Sequence, residues 1–445
     1  MADGLFDGIL ARGAVAGQVD DAAWLQAMLD FEAGLAAALA GAGLLDGAAA
    51  AEIGAACRAE GFDVAELGRL AASTGNPAAP LVRALTDAVG GAAAGHVHRG
   101  ATSQDVLDTA AMLVAARALE PLLADLRACG VAAGRLAADH RGTVMAARTL
   151  LQQAVPTTFG LKAAGWMTAL DAAADRLDAV REHRLAVQLG GAAGTLATLA
   201  DRGPDVLARL AAELGLAEPV LPWHTDRTRI AELAGALGAA CGVLAKVARD
   251  VVLLAQTEVA EVREGGEGRG GSSTMPHKRN PVGAVSALAC AQQAPGLVAT
   301  LLGAMAHEHE RAAGPWQAEW RPLRELLVAT GSAAAWGREV LEGLEVDAAA
   351  MRANLDRTGG LLLAERVATA LAPELGRGAA HDRVAAAAAQ ATASGRPFAE
   401  VLAEDPVVRP HLEEGLLDPA GHLGSAGPFV DRALRAHSLD PEARA

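Results

Sequence analysis

Apolar residues recur at helical spacing along most of the chain. Between Ala22 and Ala42, Trp24, Leu25, Met28, Leu29, Phe31, Leu35 and Leu39 fall on the 3.6-residue period. The same period predicts helices over Val106 to Ala138, Phe159 to Leu189, Ile230 to Val262, Pro281 to Met305 and Leu323 to Leu341. Several approach or exceed about 25 residues, beyond the ordinary globular helix. Helices of that length bury their apolar stripes by packing side by side in bundles. Alternating Val, Ile, Thr and aromatic runs, the mark of strands, are almost absent. The predicted fold class is therefore all-α.

Breaks in the pattern suggest three parts. A loop-like patch covers 73–80, and a second near 90–104 is rich in Gly and His. After Leu344 the helices shorten, broken by Gly359-Gly360, Pro373 and Gly395-Arg396-Pro397. The expected division is an N-terminal helical domain at 1–95, a long-helix domain at 96–344 and a small C-terminal helical domain at 345–445. No fixed-period repeat is present.

The chain has 445 residues, 52% of them hydrophobic, enough to bury a large core and to exclude a disordered or disulfide-stapled protein. A net charge of -15 argues against coating nucleic acid or an anionic membrane, while leaving room for a local basic site that takes a small anion. Cys57, Cys129, Cys241 and Cys290 are scattered and form no CxxC pair. They are expected to be small buried hydrophobes in a reducing compartment, the cytoplasm. The N-terminus, MADGLFDGILARG, lacks a basic and an apolar region, so no secretory signal is expected. Asn280 to Ala306 carries no charge and is long enough to span a bilayer. Its Asn280, Gln292, Gln293 and Pro295 favour a helix buried in a bundle instead.

Chemistry concentrates in three patches. In the first, His96 to Asp105, Thr102, Ser103 and Asp105 sit where helix N-caps sit, and a helix N-terminus is also a ready anion site. The second, Arg148 to Thr158, holds Gln152, Gln153, Pro156, Thr157 and Thr158 and is expected to be a polar break between helices. The third runs from Glu264 to Pro281, where five of the seven residues from 265 to 271 are Gly. Such a backbone can approach a ligand closely. Gly266, Gly268 and Gly271 match GxGxxG, but the preceding Gln256 to Val262 is expected to continue a helix, so a dinucleotide site is rejected. A mobile lid carrying a nucleophile or base fits the segment better. His96-x-His98 and His307-x-His309 lack the companion ligands of a metal site, and no metal or cofactor is expected.

GSSTMPHKRNP at 271–281 resembles the signature loop of the fumarase/aspartase superfamily. HRGATSQD at 98–105 and RTLLQQAVPTTFG at 148–160 resemble its two other characteristic regions, in order and spacing. With WHTDR at 223–227 and ERAAGPWQAEW at 310–320, the chain is most similar to the bacterial 3-carboxy-cis,cis-muconate cycloisomerase branch. The resemblance implies a three-domain fold with a central long-helix bundle. It also implies a homotetramer whose active sites, shared between subunits, take a small polycarboxylate. Ser272 or its neighbour Ser273 would be the catalytic base, its oxyanion stabilised by loop N–H groups and Lys278. Asn280 would share the charge that builds on the substrate. His98, Thr102, Ser103, Arg148, Thr149, Gln153 and Arg311 would bind the substrate and its carboxylates.

Two departures narrow the chemistry. Members that expel an amine or hydroxide carry His where this chain has Leu150, and its Glu partner where this chain has Val285. Such leaving groups need a proton, and losing the acid would cost about 10²–10⁴-fold in rate. A carboxylate, whose acid has a pKa of about 4, leaves unaided. The expected reaction is lactonising cycloisomerisation, with a lyase that expels nitrite from nitrosuccinate as the alternative. Adenylosuccinate cleavage and a non-catalytic scaffold fit less well. Asp226, an acid near an anionic substrate, would be unfavourable there unless it pairs with Arg227.

Overall fold

The computed structural model describes residues 4–266, 270–271, 274–275, 277–413 and 415–438. The fold is all-α in class, as expected. The long helices are Asp21–Gly41, Ser103–Asp139, Phe159–His183, Thr228–Leu254 and Pro315–Glu342. Asp20 caps the first through its side chain, which accepts the N–H of Ala23. Among the described residues, four short strands form two antiparallel pairs, Val144–Thr149 with Gln152–Thr158 and Val262–Glu264 with Leu344–Val346.

Three predicted helices end early, each for a local reason. Leu185 to Leu189 leaves the helical path because Val187 N–H and the Leu185 carbonyl bond to Ala217 instead. An apolar run this short satisfies a helix or an extended segment equally well. The helix from Thr228 stops at Leu254, and Ala260 turns back at a φ of 52° into the strand Val262–Glu264. The Gly-rich segment is thus preceded by a strand and not by the expected helix. A dinucleotide site still does not follow, because the strand belongs to an antiparallel ribbon rather than a parallel βαβ unit. The predicted helix over Pro281 to Met305 is two helices, Val282–Ala291 and Ala294–Gly303. Pro295 in the first turn of the second cannot continue a helix already running.

Thr228–Leu254 and the 282–303 segment are long and apolar enough, by length and composition, to cross a membrane. The break leaves each half of the latter about 15 Å long, half a hydrocarbon core.

The chain divides into two compact units, each assembled from three stretches. The first takes residues 1–126, 172–246 and 286–337; the second takes 127–171, 247–285 and 338–445. Leu29, Phe31, Leu35, Leu39, Leu81 and Leu210 are buried in the first. In the second, Phe159 stacks edge-on against Trp166 at 5.6 Å, and Trp166 donates to Asp250 at 2.7 Å. Val367, Leu371, Phe398 and Leu402 form a further cluster there. All four cysteines are buried thiols outside any disulfide. Burial, with Glu32 and Asp30 nearby, pushes the Cys57 thiol up to about 12.

Candidate active site

Within the first unit, the patch around His98 closes on itself through Asp105. This carboxylate is fully buried at the start of helix Ser103–Asp139 and accepts four hydrogen bonds. They come from Thr102 N–H at 2.9 Å, Gly190 N–H at 3.0 Å, Gly191 N–H at 2.9 Å and His224 Nε2 at 2.6 Å. The Asp105–Thr102 bond is the return half of a helix-capping arrangement, so one side chain both caps the helix and draws in two distant loops. Glycine is required at 190: a Cβ there would lie 2.7 Å from His224 Cε1.

One turn along the helix, Asp108 anchors a second buried group. Arg227, almost wholly buried, donates Nη1 and Nη2 to Asp108 at 2.8 and 3.0 Å, and Nε to Glu319 at 3.0 Å. Trp316 Nε1 donates to Asp108 at 3.0 Å, and the amides of Gln104 and Gln188 add bonds at 3.1 and 3.2 Å. Burial alone would lower the guanidinium, but Asp108 and Glu319 hold it firmly protonated. Burial pushes Glu319 up against that same pull. Buried charges paired this completely act as a scaffold and are not free to take a substrate.

Asp226 does not pair with Arg227, whose guanidinium goes to Asp108 and Glu319. Asp226 instead accepts the Thr228 N–H at 3.1 Å and caps the helix Thr228–Leu254. Hydrogen bonding to the Thr228 side chain, and then to its backbone N–H, lowers the Asp226 carboxyl.

This scaffold presents an anion-receptive face. His98 Nδ1 lies 2.7 Å from Glu32 Oε1, whose carboxylate is fully buried. Burial would lower the His98 imidazole, but the Glu32 bond and charge, with Asp105, outweigh it and leave its pKa raised. Arg311 donates to the Thr102 hydroxyl at 3.1 Å and to the Ala192 carbonyl at 3.0 Å. Ser103 opens the helix beside Thr102, where spare N–H groups favour negative charge. The first unit therefore brings His98, Thr102, Ser103 and Arg311 together.

Within the second unit, the expected polar break is a β-hairpin. Val144–Thr149 and Gln152–Thr158 pair antiparallel, with a two-residue tip at Leu150 and Leu151. Both tip residues have positive φ, 51° and 64°, the backbone of a tight hairpin turn that normally selects Asn and Gly. Two leucines hid that turn from the sequence. Thr149 is exposed and pairs with Gln152 at the base of the tip.

Two residues expected to bind substrate have other partners here. Arg148 forks onto the buried Glu261, with bonds of 2.9 and 2.7 Å, and Asn354 also donates to that carboxylate at 2.8 Å. Gln153 donates its amide to the Asn354 carbonyl at 2.9 Å, while its own buried Oε1 has no partner. Arg148 is thus neutralised inside the fold, and Gln153 keeps a free acceptor rather than a free donor.

The loop is pinned at its base. Asn280 returns both its backbone N–H and its side-chain amide to the Gly270 carbonyl, at 2.8 and 3.1 Å. A Cβ on Gly270, which has a φ of 69°, would run into the Asn280 carbonyl oxygen. Asn280 therefore closes the loop, which occupies the amide expected for substrate. Glu264 caps the following helix by accepting the Gly283 and Ala284 N–H groups at 2.9 and 2.7 Å. Lys278 is exposed. Ser272 and Ser273 lie outside the described residues.

Sequence reasoning passed over Asp108, Gln188, His224, Arg227 and Glu319 as site residues. The available signal was Gln104, Asp105, Asp108 and Thr109 within the first two turns of a helix whose other inward positions are apolar.

The chain matches the family model described as "Lyase" over residues 11–296, and that described as "Adenylosuccinate lyase C-terminus" over residues 360–433. It is 50% identical to a 3-carboxy-cis,cis-muconate cycloisomerase of Bradyrhizobium diazoefficiens, covering 97% of this chain and 98% of that one. It is 48% identical to a nitrosuccinate lyase of Streptomyces davaonensis, covering 97% and 94%. The crystal structure of the 3-carboxy-cis,cis-muconate lactonizing enzyme from Pseudomonas putida superposes with a TM-score of 0.93 at 44% identity, over 98% of this chain and 99% of that one. With the lyase model spanning more than half its length and such relatives matching nearly all of it, the chain belongs to the lyase family of the fumarase/aspartase superfamily.

Proposed function

We propose that the chain is a 3-carboxy-cis,cis-muconate cycloisomerase. The observation that carries this reading is the 50% identity, over nearly the whole of both chains, to a relative of that name. The site chemistry agrees with it. In the ring-closing direction a substrate carboxylate adds across a carbon–carbon double bond, forming a C–O bond, while the neighbouring carbon takes a proton. Nothing leaves, so no group must be protonated to depart. In reverse, the lactone carboxylate departs as a stable anion. Leu150 and Val285, neither able to donate a proton, are compatible with that reaction and not with amine expulsion.

His98, Thr102, Ser103 and Arg311 bind substrate carboxylates, the hairpin of another subunit contributes the Thr149 hydroxyl as a donor, and Lys278, also from another subunit, stabilises the carboxylate-conjugated carbanion. Ser272 or Ser273 transfers the proton. The enzyme works as a cytoplasmic homotetramer. The half-exposed Val282, Val285 and Leu302 on its charge-free helices support burial against other copies.

A second reading, elimination of nitrite from nitrosuccinate, draws support from the 48% identical relative and obeys the same leaving-group logic. An ultraviolet assay of purified protein with 3-carboxymuconate, nitrosuccinate and adenylosuccinate decides among them. Loss of the diene absorbance with 3-carboxymuconate is expected. Faster nitrite release would favour the second reading, and brisk adenylosuccinate cleavage would sink both.

A further inference from the structure

Glu32 lies on helix Asp21–Gly41 among the buried Leu29, Phe31 and Leu35. Its carboxylate is wholly buried and has one partner: Oε1 meets His98 Nδ1 at 2.7 Å, while Oε2 has none. A buried carboxylate with a single contact is tolerated only beside a counter-charge. Cys57, which ends helix Gly47–Ala56 close to Glu32, supplies none, because its thiol is pushed up to about 12 and stays neutral. His98 itself stands at a φ of 60°, a left-handed backbone that strains a residue with a Cβ. A buried charge and a strained backbone thus converge on one imidazole. The other ring nitrogen, Nε2, is neither buried nor bonded among the described residues, in a side chain 19% exposed.

This contact makes the ring selective. An ionised Glu32 only accepts, so Nδ1 carries a proton whether the ring is neutral or charged. In the neutral ring Nε2 is then a lone pair that repels a carboxylate; in the cation it is a second donor. We propose that Glu32 is a positioning residue for the substrate, holding His98 as an imidazolium whose Nε2–H takes one substrate carboxylate. The inference rests on the polycarboxylate reading of the site. Burial opposes the cation, and Glu32, with Asp105 from helix Ser103–Asp139, outweighs it. Of the nearby cations, Arg99 turns to the Leu44 carbonyl at 2.6 Å and Arg311 to Thr102 and Ala192.

The test is calorimetric titration of the full-length protein, in its native assembly, with tricarballylate from about pH 7 to 9, above the ordinary range of the ligand's own carboxyls. Wild-type affinity should fall as pH rises, and binding should take up a proton where the imidazolium is partly lost. Glu32→Gln keeps the shape and an acceptor for Nδ1 but removes the charge. It should bind about tenfold more weakly at the low end of the range and lose the slope, because burial then leaves the ring neutral throughout. Glu32→Asp, which restores the charge, should recover part of the slope, and His98→Gln should abolish it. A purely structural Glu32 would leave the slope in place in Glu32→Gln, which overturns the proposal, as does a slope that survives in His98→Gln. Should Glu32→Gln not fold, the wild-type proton uptake, Glu32→Asp and His98→Gln still decide. Binding without any pH slope in the wild type overturns the role of Glu32 alone, whereas no binding at any pH overturns the polycarboxylate reading and this inference with it.

Discussion

The carboxylate of Asp105 and the imidazole of His224, 119 residues apart in sequence, meet at 2.6 Å in a buried setting. Asp105 also holds the Gly190 and Gly191 N–H groups, so removing it strands several donors at once. Asp105→Ala is expected to destabilise the protein by about 3 kcal/mol or more, read as a lowered urea midpoint at constant slope. A loss below about 1 kcal/mol would mean that water or another side chain replaces it.

Arg148 separates a binding role from a structural one. Its pairing with buried Glu261 predicts that Arg148→Met costs about 3 kcal/mol of stability, because a buried carboxylate loses its counter-charge. The double variant Arg148→Met/Glu261→Met should recover much of that loss. If Arg148→Met instead raised KM with stability unchanged, its guanidinium would belong to the substrate.

Leu150 and Leu151 are 96% and 73% exposed in a left-handed backbone that costs each on the order of 1 kcal/mol. Leu150→Asn/Leu151→Gly should therefore raise Tm by a few degrees. Because the tip stands where other family members carry the acid, kcat/KM should fall at least tenfold. A rise in both quantities would remove the tip from the active site.

The loop carries the proton transfer in the proposed reaction. Ser272→Ala should lower kcat by about 10²–10⁴-fold with the fold intact by circular dichroism. Should Ser273→Ala do so instead, the base is the neighbour. Lys278→Met should reduce kcat and kcat/KM together, as expected for a contact made mainly in the transition state.

The His98–Glu32 pair sets a pH dependence. The folded pKa of His98 is raised, so its contribution to stability is complete below the ordinary imidazole value of about 6.5. That contribution is lost as pH rises through the elevated folded value, where the imidazolium gives up its proton. Urea unfolding across this range should show stability falling with pH, and His98→Gln should flatten the slope. A slope unchanged in His98→Gln would assign it to another group.

The helical pattern determined the fold class and most of the long helices, because a 3.6-residue apolar period survives whatever the helix packs against. The loop at 271–281 and the patch at 98–105 were legible too, since they gather polar residues where the period lapses. The fate of each polar side chain was not. Arg148, Gln153 and Asn280 look free in one dimension, but Glu261, Asn354 and Gly270 take up hydrogen-bonding groups of each. The hairpin at Leu150 was equally hidden, because strand pairing and not residue preference holds its tip left-handed. Chain order fixes which groups exist and which neighbours share a helix turn. Only the tertiary fold decides which charges are already paired, because burial makes an unpaired charge too costly to leave and recruits partners from anywhere in the sequence.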